Sequence, residues 1–141
     1  MALDPSVAQW ITSKHQAVLA TVRADGTPQT SNILFTFDGD VARISVTADR
    51  AKVANMRREP GVVLHVLGDN FWQYVAVACR AELTPISTEP GDATGRELLE
   101  VYEQIGGKPH PKPEEFLQAM VDDRRLVVRL HPTSATGSRV P

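Results

Sequence analysis

Four cations crowd one short stretch of this chain: Arg50, Lys52, Arg57 and Arg58 all fall within DRAKVANMRRE (49–59). The stretch opens on Asp49, contains good helix formers and meets Pro60 at its end, so a helix is expected directly after a strand. The start of a helix offers free backbone N–H groups and a positive dipole end, and cationic side chains beside it complete a phosphate site. At about 100° per residue, Arg50 and Arg57 project within roughly 20° of each other and Arg58 lies about 80° from Arg50, while Lys52 points elsewhere. Arg50 and Lys52 would then hold an anion from two sides of the helix start, with Arg57 and Arg58 nearer the other end. The same charges also suit a solvated helix face with Arg57 and Arg58 near the negative C-terminus, and spacing alone leaves these two readings level.

A second polar group, Gln29, Thr30, Ser31 and Asn32, opens a run that is otherwise apolar. Its side chains and strand-edge amides could hydrogen-bond a heteroaromatic ring, with Ile33 and Phe35 supplying apolar surface. The plainer reading is that these residues finish the turn begun at Asp25-Gly26. Trp72 and Tyr74 share a strand face by period two and could wall a planar ligand, although such pairs are more often core or interface.

Other chemistry lacks a cast. The sequence has no G-x-S-x-G elbow, no P-loop and no G-x-G-x-x-G turn. His15, His65, His110 and His131 share no ligand spacing, and Cys79 stands alone in VAVAC, so neither a metal site nor an internal disulfide is expected. No catalytic side chain can be singled out.

The elements that must position these residues follow from turns and periodicity. Asp4-Pro5 ahead of Val7, Trp10 and Ile11 starts a short helix. QAVLATVR (16–23), QTSNILFTF (29–37) and VARISVT (41–47) read as three strands separated by Asp25-Gly26 and Asp38-Gly39-Asp40. VVLHVLG (62–68) and FWQYVAVACRAEL (71–83) flank Gly68-Asp69-Asn70 as another hairpin. Leu98, Leu99, Tyr102 and Ile105 recur at helical spacing up to Gly106-Gly107. Phe116, Leu117, Met120 and Val121 mark a further helix, and RLVVRL (125–130) a sixth strand. Six mostly hairpin-linked strands favour a small closed or split antiparallel β-barrel with flanking helices, mainly β in class.

The chain of 141 residues is one domain in length, 1–141, with 42% hydrophobic and 23% charged residues. Fifteen Lys and Arg against 17 Asp and Glu leave a formal charge of −2, which argues against nucleic acid as a partner. Without an apolar span or a leader pattern, the expectation is a cytoplasmic protein with no membrane partner.

Taken in order, DGTPQTSN (25–32), RAKVANMRREP (50–60), FWQYVAV (71–77) and FLQAMVDDRRLVVRL (116–130) resemble the flavin-binding split-barrel superfamily that includes pyridoxamine 5′-phosphate oxidase. The pattern, running from about Val18 to about Leu130, is most similar to the actinobacterial branch of small deazaflavin-dependent reductases, which use coenzyme F420. The resemblance implies a homodimer with a cofactor groove at each side of the interface. It assigns the cofactor phosphate to Arg50 and Lys52, with Asn55 nearby on the helix. Gln29, Ser31 and Asn32 would lie beside the ring, Ser45 and Val46 would flank it, and Trp72 would cover it from the partner subunit. The expected reaction is hydride transfer from reduced deazaflavin to an unsaturated or conjugated small molecule. The oxidases carry a C-terminal Arg, His and Trp segment for the vitamin, whereas this sequence reads HPTSATGSRVP, which turns the expectation away from vitamin B6. FMN in the same fold, and a cofactor carrier without catalysis, remain the alternatives, because Arg50 and Lys52 suit any such phosphate.

Overall fold

The computed structural model describes residues 3–138. Helix α1 (Pro5–Thr12) begins as its sequence predicts, with the Asp4 carboxylate accepting the Ser6 N–H at 2.8 Å and Pro5 in the first turn. The strands are β1 (Gln16–Val22), β2 (Pro28–Leu34), β3 (Thr36–Phe37), β4 (Ala42–Thr47), β5 (Gly61–Leu67), β6 (Tyr74–Leu83) and β7 (Arg125–Thr136). Helix α2 (Ala51–Arg58) joins β4 to β5, while α3 (Ala93–Gly106) and α4 (Pro113–Asp122) lie between β6 and β7. All pairings are antiparallel, in the order β2-β1-β5-β6-β7-β4-β3.

The architecture is the expected one, mainly β with flanking helices and a sheet curled into a split barrel, but it has seven strands rather than six. The run 29–37 breaks at Phe35, which is fully buried. The Phe35 N–H donates to the His15 carbonyl at 2.9 Å, and His15 Nδ1 stands 2.9 Å from the Phe35 carbonyl, so the ring donates there. Because β2 and β3 occupy opposite ends of the strand order, this one-residue joint draws the two edges of the sheet together.

Alternation fills the interior. Ala17 and Leu19 of β1, Ile44 and Val46 of β4, Leu64 and Val66 of β5, and Val75, Val77 and Cys79 of β6 all point inward. Burial pushes the Cys79 thiol up to about 12, which leaves it a protonated, apolar filler.

Two strand boundaries differ from the sequence expectation. The last strand continues to Thr136 instead of stopping at Leu130. Pro132 is tolerated within it because the pairing slips between Ala78 and Cys79, placing Cys79 opposite Pro132 and Ala78 opposite Ser134. The sixth strand starts at Tyr74, not Phe71, so Trp72 and Tyr74 do not share a strand face. Phe71 and Trp72 sit in the preceding turn, edge to face at 4.8 Å, while Tyr74 stacks on His65 at 5.0 Å. That turn needs Gly68, since a Cβ there would stand 2.3 Å from the Gln73 side chain.

Helix α3 is fixed at its start and again within its first half. The Asp92 carboxylate accepts the N–H groups of Thr88, Glu89 and Gly95 and the Ser87 hydroxyl, at 2.7 to 3.2 Å. Despite the opposing cost of desolvation, these bonds hold its carboxyl at about 2. Further along, Glu97 accepts from Arg43 Nε at 3.0 Å and from Arg129 Nε and Nη2 at 2.9 and 2.6 Å, and Arg43 and Arg129 stand opposite each other on β4 and β7.

Candidate functional site

The β4–α2 junction carries the basic cluster. Arg50 is the N-cap residue of α2 in extended conformation, and among the described residues no side chain caps that end. Its first backbone N–H groups lack intrahelical acceptors, as at any helix start. Arg50 itself is steadied by Nε donating to the Thr47 hydroxyl at 3.0 Å. Lys52 lies half-buried two residues on, its Nζ 3.4 Å from the Ser31 hydroxyl of β2.

These residues line a polar cavity of about 410 Å³ together with Gln29, Ser45, Val46, Thr47 and Arg125. Six of the nine residues expected at a cofactor site, Gln29, Ser31, Ser45, Val46, Arg50 and Lys52, are therefore brought to one place. Arg125 was missed by sequence reasoning. It opens β7 opposite Thr47, and its Nη1 donates to the Ser45 hydroxyl at 3.1 Å. Its placement depends on Arg124, whose φ of +53° turns the chain sharply out of α4, with the Arg124 carbonyl accepting the Ala48 N–H at 2.9 Å.

The electrostatics of this end are unbalanced. Arg50, Lys52 and Arg125 converge, and among the described residues the carboxylate lining the groove is Asp123, 3.6 Å from Arg125 Nε. That Nε is buried and has no hydrogen-bond partner among the described residues. Burial, and then the neighbouring charges of Arg50 and Arg125, hold the Lys52 ammonium below its ordinary range. A cluster that disfavours its own charge is relieved by an anion.

A second, apolar chamber of about 580 Å³ adjoins the polar cavity, and Ser45, Lys52 and Arg125 belong to both. Helices α3 and α4 wall it with Leu98, Val101, Tyr102, Phe116 and Met120, and β2 with Asn32, Ile33 and Leu34. Tyr102 and Phe116 of this wall form a cluster with the His110 ring, the three rings 5.1 to 5.3 Å apart. Asn32, expected beside a ring, thus borders this chamber rather than the polar end. The helical periodicity of Leu98 and Tyr102 signalled the wall, but not what it faces.

Two expected residues stand apart from the groove. Asn55 is 6% exposed, on the inner side of α2, where Nδ2 donates to Thr21 Oγ1 at 3.0 Å and Oδ1 accepts from Arg58 Nη2 at 2.9 Å. Trp72 is 72% exposed and lines neither cavity of its own chain. Leu34 of β2 and Val63 and Leu67 of β5 are likewise exposed apolar residues.

The donor set fits a molecule with a phosphate at one end and a flat, largely apolar body. Among the described residues, no group of three or more His, Cys, Asp or Glu is placed to hold a metal ion, and no helix is long and apolar enough to cross a membrane.

Comparison with known proteins gives the same outline. A family model described as pyridoxamine 5′-phosphate oxidase matches residues 3–139. Among solved structures, an F420 reductase is 28% identical, covering 91% of this chain and 94% of its own, with a TM-score of 0.67. A conserved hypothetical protein of Mycobacterium tuberculosis is 23% identical over 96% of this chain and 83% of its own, at a TM-score of 0.72. The haem storage protein HutZ of Vibrio cholerae, 17% identical over 94% of this chain and 91% of its own, has a TM-score of 0.60. At these last two identities the likeness concerns the fold alone.

Proposed function

This chain belongs to the pyridoxamine 5′-phosphate oxidase family, and from that premise we propose that it is an oxidoreductase using coenzyme F420 to reduce a conjugated small molecule. The observation that carries the reading is the joined groove, in which an anion-seeking pocket and an apolar chamber share Ser45, Lys52 and Arg125. The F420 reductase among the similar structures favours a deazaflavin over FMN.

In this reading Arg50 and Lys52 bind the cofactor phosphate, and Arg125 adds a third cation at the same end. Gln29 and Ser31 offer hydrogen bonds along β2, while Ser45 and Val46 form the facing wall from β4. When bound, reduced F420 would supply a hydride from its ring carbon to an electron-poor carbon of the substrate, with a solvent proton completing the reduction. The chain's own work is to orient two planar molecules and to keep water away from them, which the Leu98, Val101, Phe116 and Met120 wall is suited to do. No side chain needs to act as nucleophile or metal ligand, in keeping with the residues present. A small, apolar, unsaturated substrate matches the chamber.

The reading also includes a homodimer. Leu34, Val63, Leu67, Phe71 and Trp72 leave an exposed apolar surface that a second copy would cover, bringing its Trp72 to the groove.

The deciding assay mixes the protein with reduced F420 and a panel of quinones, enones and nitroaromatics, following the return of oxidised-deazaflavin absorbance. The expected result is oxidation that requires both protein and acceptor. Tight F420 binding without turnover on any acceptor would point instead to a carrier.

A further inference from the structure

The deepest polar contacts near the groove form a one-way chain. Arg58 Nη2 donates at 2.9 Å both to the Val22 carbonyl and to Asn55 Oδ1. Asn55 Nδ2 donates to Thr21 Oγ1 at 3.0 Å, and Thr21 donates to Gln29 Oε1 at 2.9 Å. Gln29 Nε2 donates to the Thr30 carbonyl at 2.9 Å, and Gln29 lines the polar cavity. Thr21 and Asn55 are 1% and 6% exposed, so water has little access to complete either one.

The head of the chain dictates its direction. A guanidinium has only donors, so Asn55 must present its oxygen to Arg58 and its NH₂ to Thr21. Thr21 then has one hydrogen left to give, and Gln29 Oε1 is what receives it. Turning the Gln29 amide around would set NH₂ against that hydroxyl and orphan a buried hydrogen. The amide nitrogen, with one hydrogen on the Thr30 carbonyl, therefore keeps its second hydrogen for the cavity.

We infer that Arg58 and Asn55, from behind the groove wall, are positioning residues that fix Gln29 as a hydrogen-bond donor, so that the ligand atom meeting Gln29 is an acceptor oxygen. This rests on the reading of the groove as a cofactor site. It gives Arg58 a role that helix spacing could not assign, and it makes Asn55 a residue acting through Thr21 and Gln29 rather than by touching ligand.

Asn55→Asp tests the chain by reversing it. An aspartate accepts from Arg58 and also from the Thr21 hydroxyl, whose oxygen then accepts from Gln29 Nε2 and turns Oε1 toward the ligand. F420 affinity should fall by about tenfold, the loss of one charge-assisted donor and its replacement by an acceptor, while the Arg58 pairing keeps the fold stable. Thr21→Ser, which retains the hydroxyl, should bind as the parent does, and Thr21→Val should fall between. A folded Asn55→Asp protein with parental affinity would overturn the inference and leave the groove reading intact. If the parent protein binds neither F420 nor FMN, the groove reading fails and the inference with it.

A second measurement needs no variant. In nitrogen-15 spectra of the parent protein, the Gln29 side-chain amide proton should move downfield on saturation with ligand. Movement with inorganic phosphate alone identifies the acceptor as a phosphate oxygen, and movement with F420 only identifies an acceptor oxygen elsewhere on the cofactor. No movement with either, while F420 binds, overturns the proposal.

Discussion

Strands β4 and β7 carry arginines at both ends of their shared ladder, and the two ends treat them differently. At one end Arg43 faces Arg129, and both guanidinium groups close on Glu97, with Asp38 at 3.0 Å from Arg43 and Glu82 at 3.2 Å from Arg129. At the other, Thr47 faces Arg125, which meets Arg50 and Lys52 with Asp123 as the nearby carboxylate, 3.6 Å away. The first cluster sets three carboxylates against two guanidinium groups, so every cation there has its anion, and it pins α3 to the sheet. The second has more cations than acids around a cavity, the pattern expected where the missing anion is a ligand. Residue type does not separate the two; charge balance does. The formal charge of −2 for the whole chain conceals both.

The largest expected effect attacks the paired end. Glu97→Ala leaves two guanidinium groups without their shared partner and should lower unfolding free energy by about 3 kcal/mol, while cofactor affinity stays at the parental value. Hydrogen bonding from Arg129 leads the causes that hold the Glu97 carboxyl below its ordinary 4.5. A lowered folded-state value means this stabilisation is complete above that range and is lost as pH falls through the depressed value. Chemical denaturation across acid pH should show the loss in the parent protein and a shallower one in Glu97→Ala.

The unbalanced end should respond in the opposite sense. Arg50→Ala and Lys52→Ala should each weaken cofactor binding by roughly 1.5–3 kcal/mol, with melting temperature unchanged or raised, as relief of like-charge repulsion requires. A loss of stability in place of affinity would make this end a second structural network.

Lys52 supplies a smaller, pH-dependent effect. Its ammonium is held below the ordinary 10.5 by burial first, then by Arg50 and Arg125. An anion favours the charged form, so affinity should be greatest below this lowered value and decline as pH rises through it, on a limb that begins short of 10.5. Calorimetric affinities measured against pH should show that limb in the parent and not in Lys52→Arg.

Trp72→Ala should have the smallest effect, about 1 kcal/mol in cofactor affinity, with the stability of the isolated fold unaltered because the ring is 72% exposed. For the homodimer proposed above, sedimentation of the same variant should shift toward monomer.

The sequence made the local features readable, and the long-range ones much less so. Asp4-Pro5, the hairpin turns and the Arg50/Lys52 pair announce themselves within a few residues of where they act. Arg125 did not, because its partner Ser45 lies 80 residues away and only the β4–β7 pairing joins them. The corner at Phe35 was equally silent, since Leu34, Phe35 and Thr36 all suit a strand and nothing in their types marks a change of neighbour. The expected last strand stops at Leu130, short of Pro132, whose place in β7 depends on a bulge set by the facing strand. Phe71 and Trp72 have strand propensity yet occupy a turn imposed by Gly68 and Gln73. Asn55 was drawn to the cofactor by resemblance, whereas its contacts run to Thr21 and Arg58.

The central claim is that the cation-rich end of the groove holds the phosphate of a deazaflavin. Equilibrium titration of the protein with F420 and, separately, with FMN, followed through tryptophan fluorescence, tests it most directly. Saturable F420 binding at micromolar concentration or tighter, abolished in the Arg50→Ala/Lys52→Ala double variant, is the predicted result. Micromolar FMN binding with no response to F420, or F420 binding indifferent to the double variant, would contradict it.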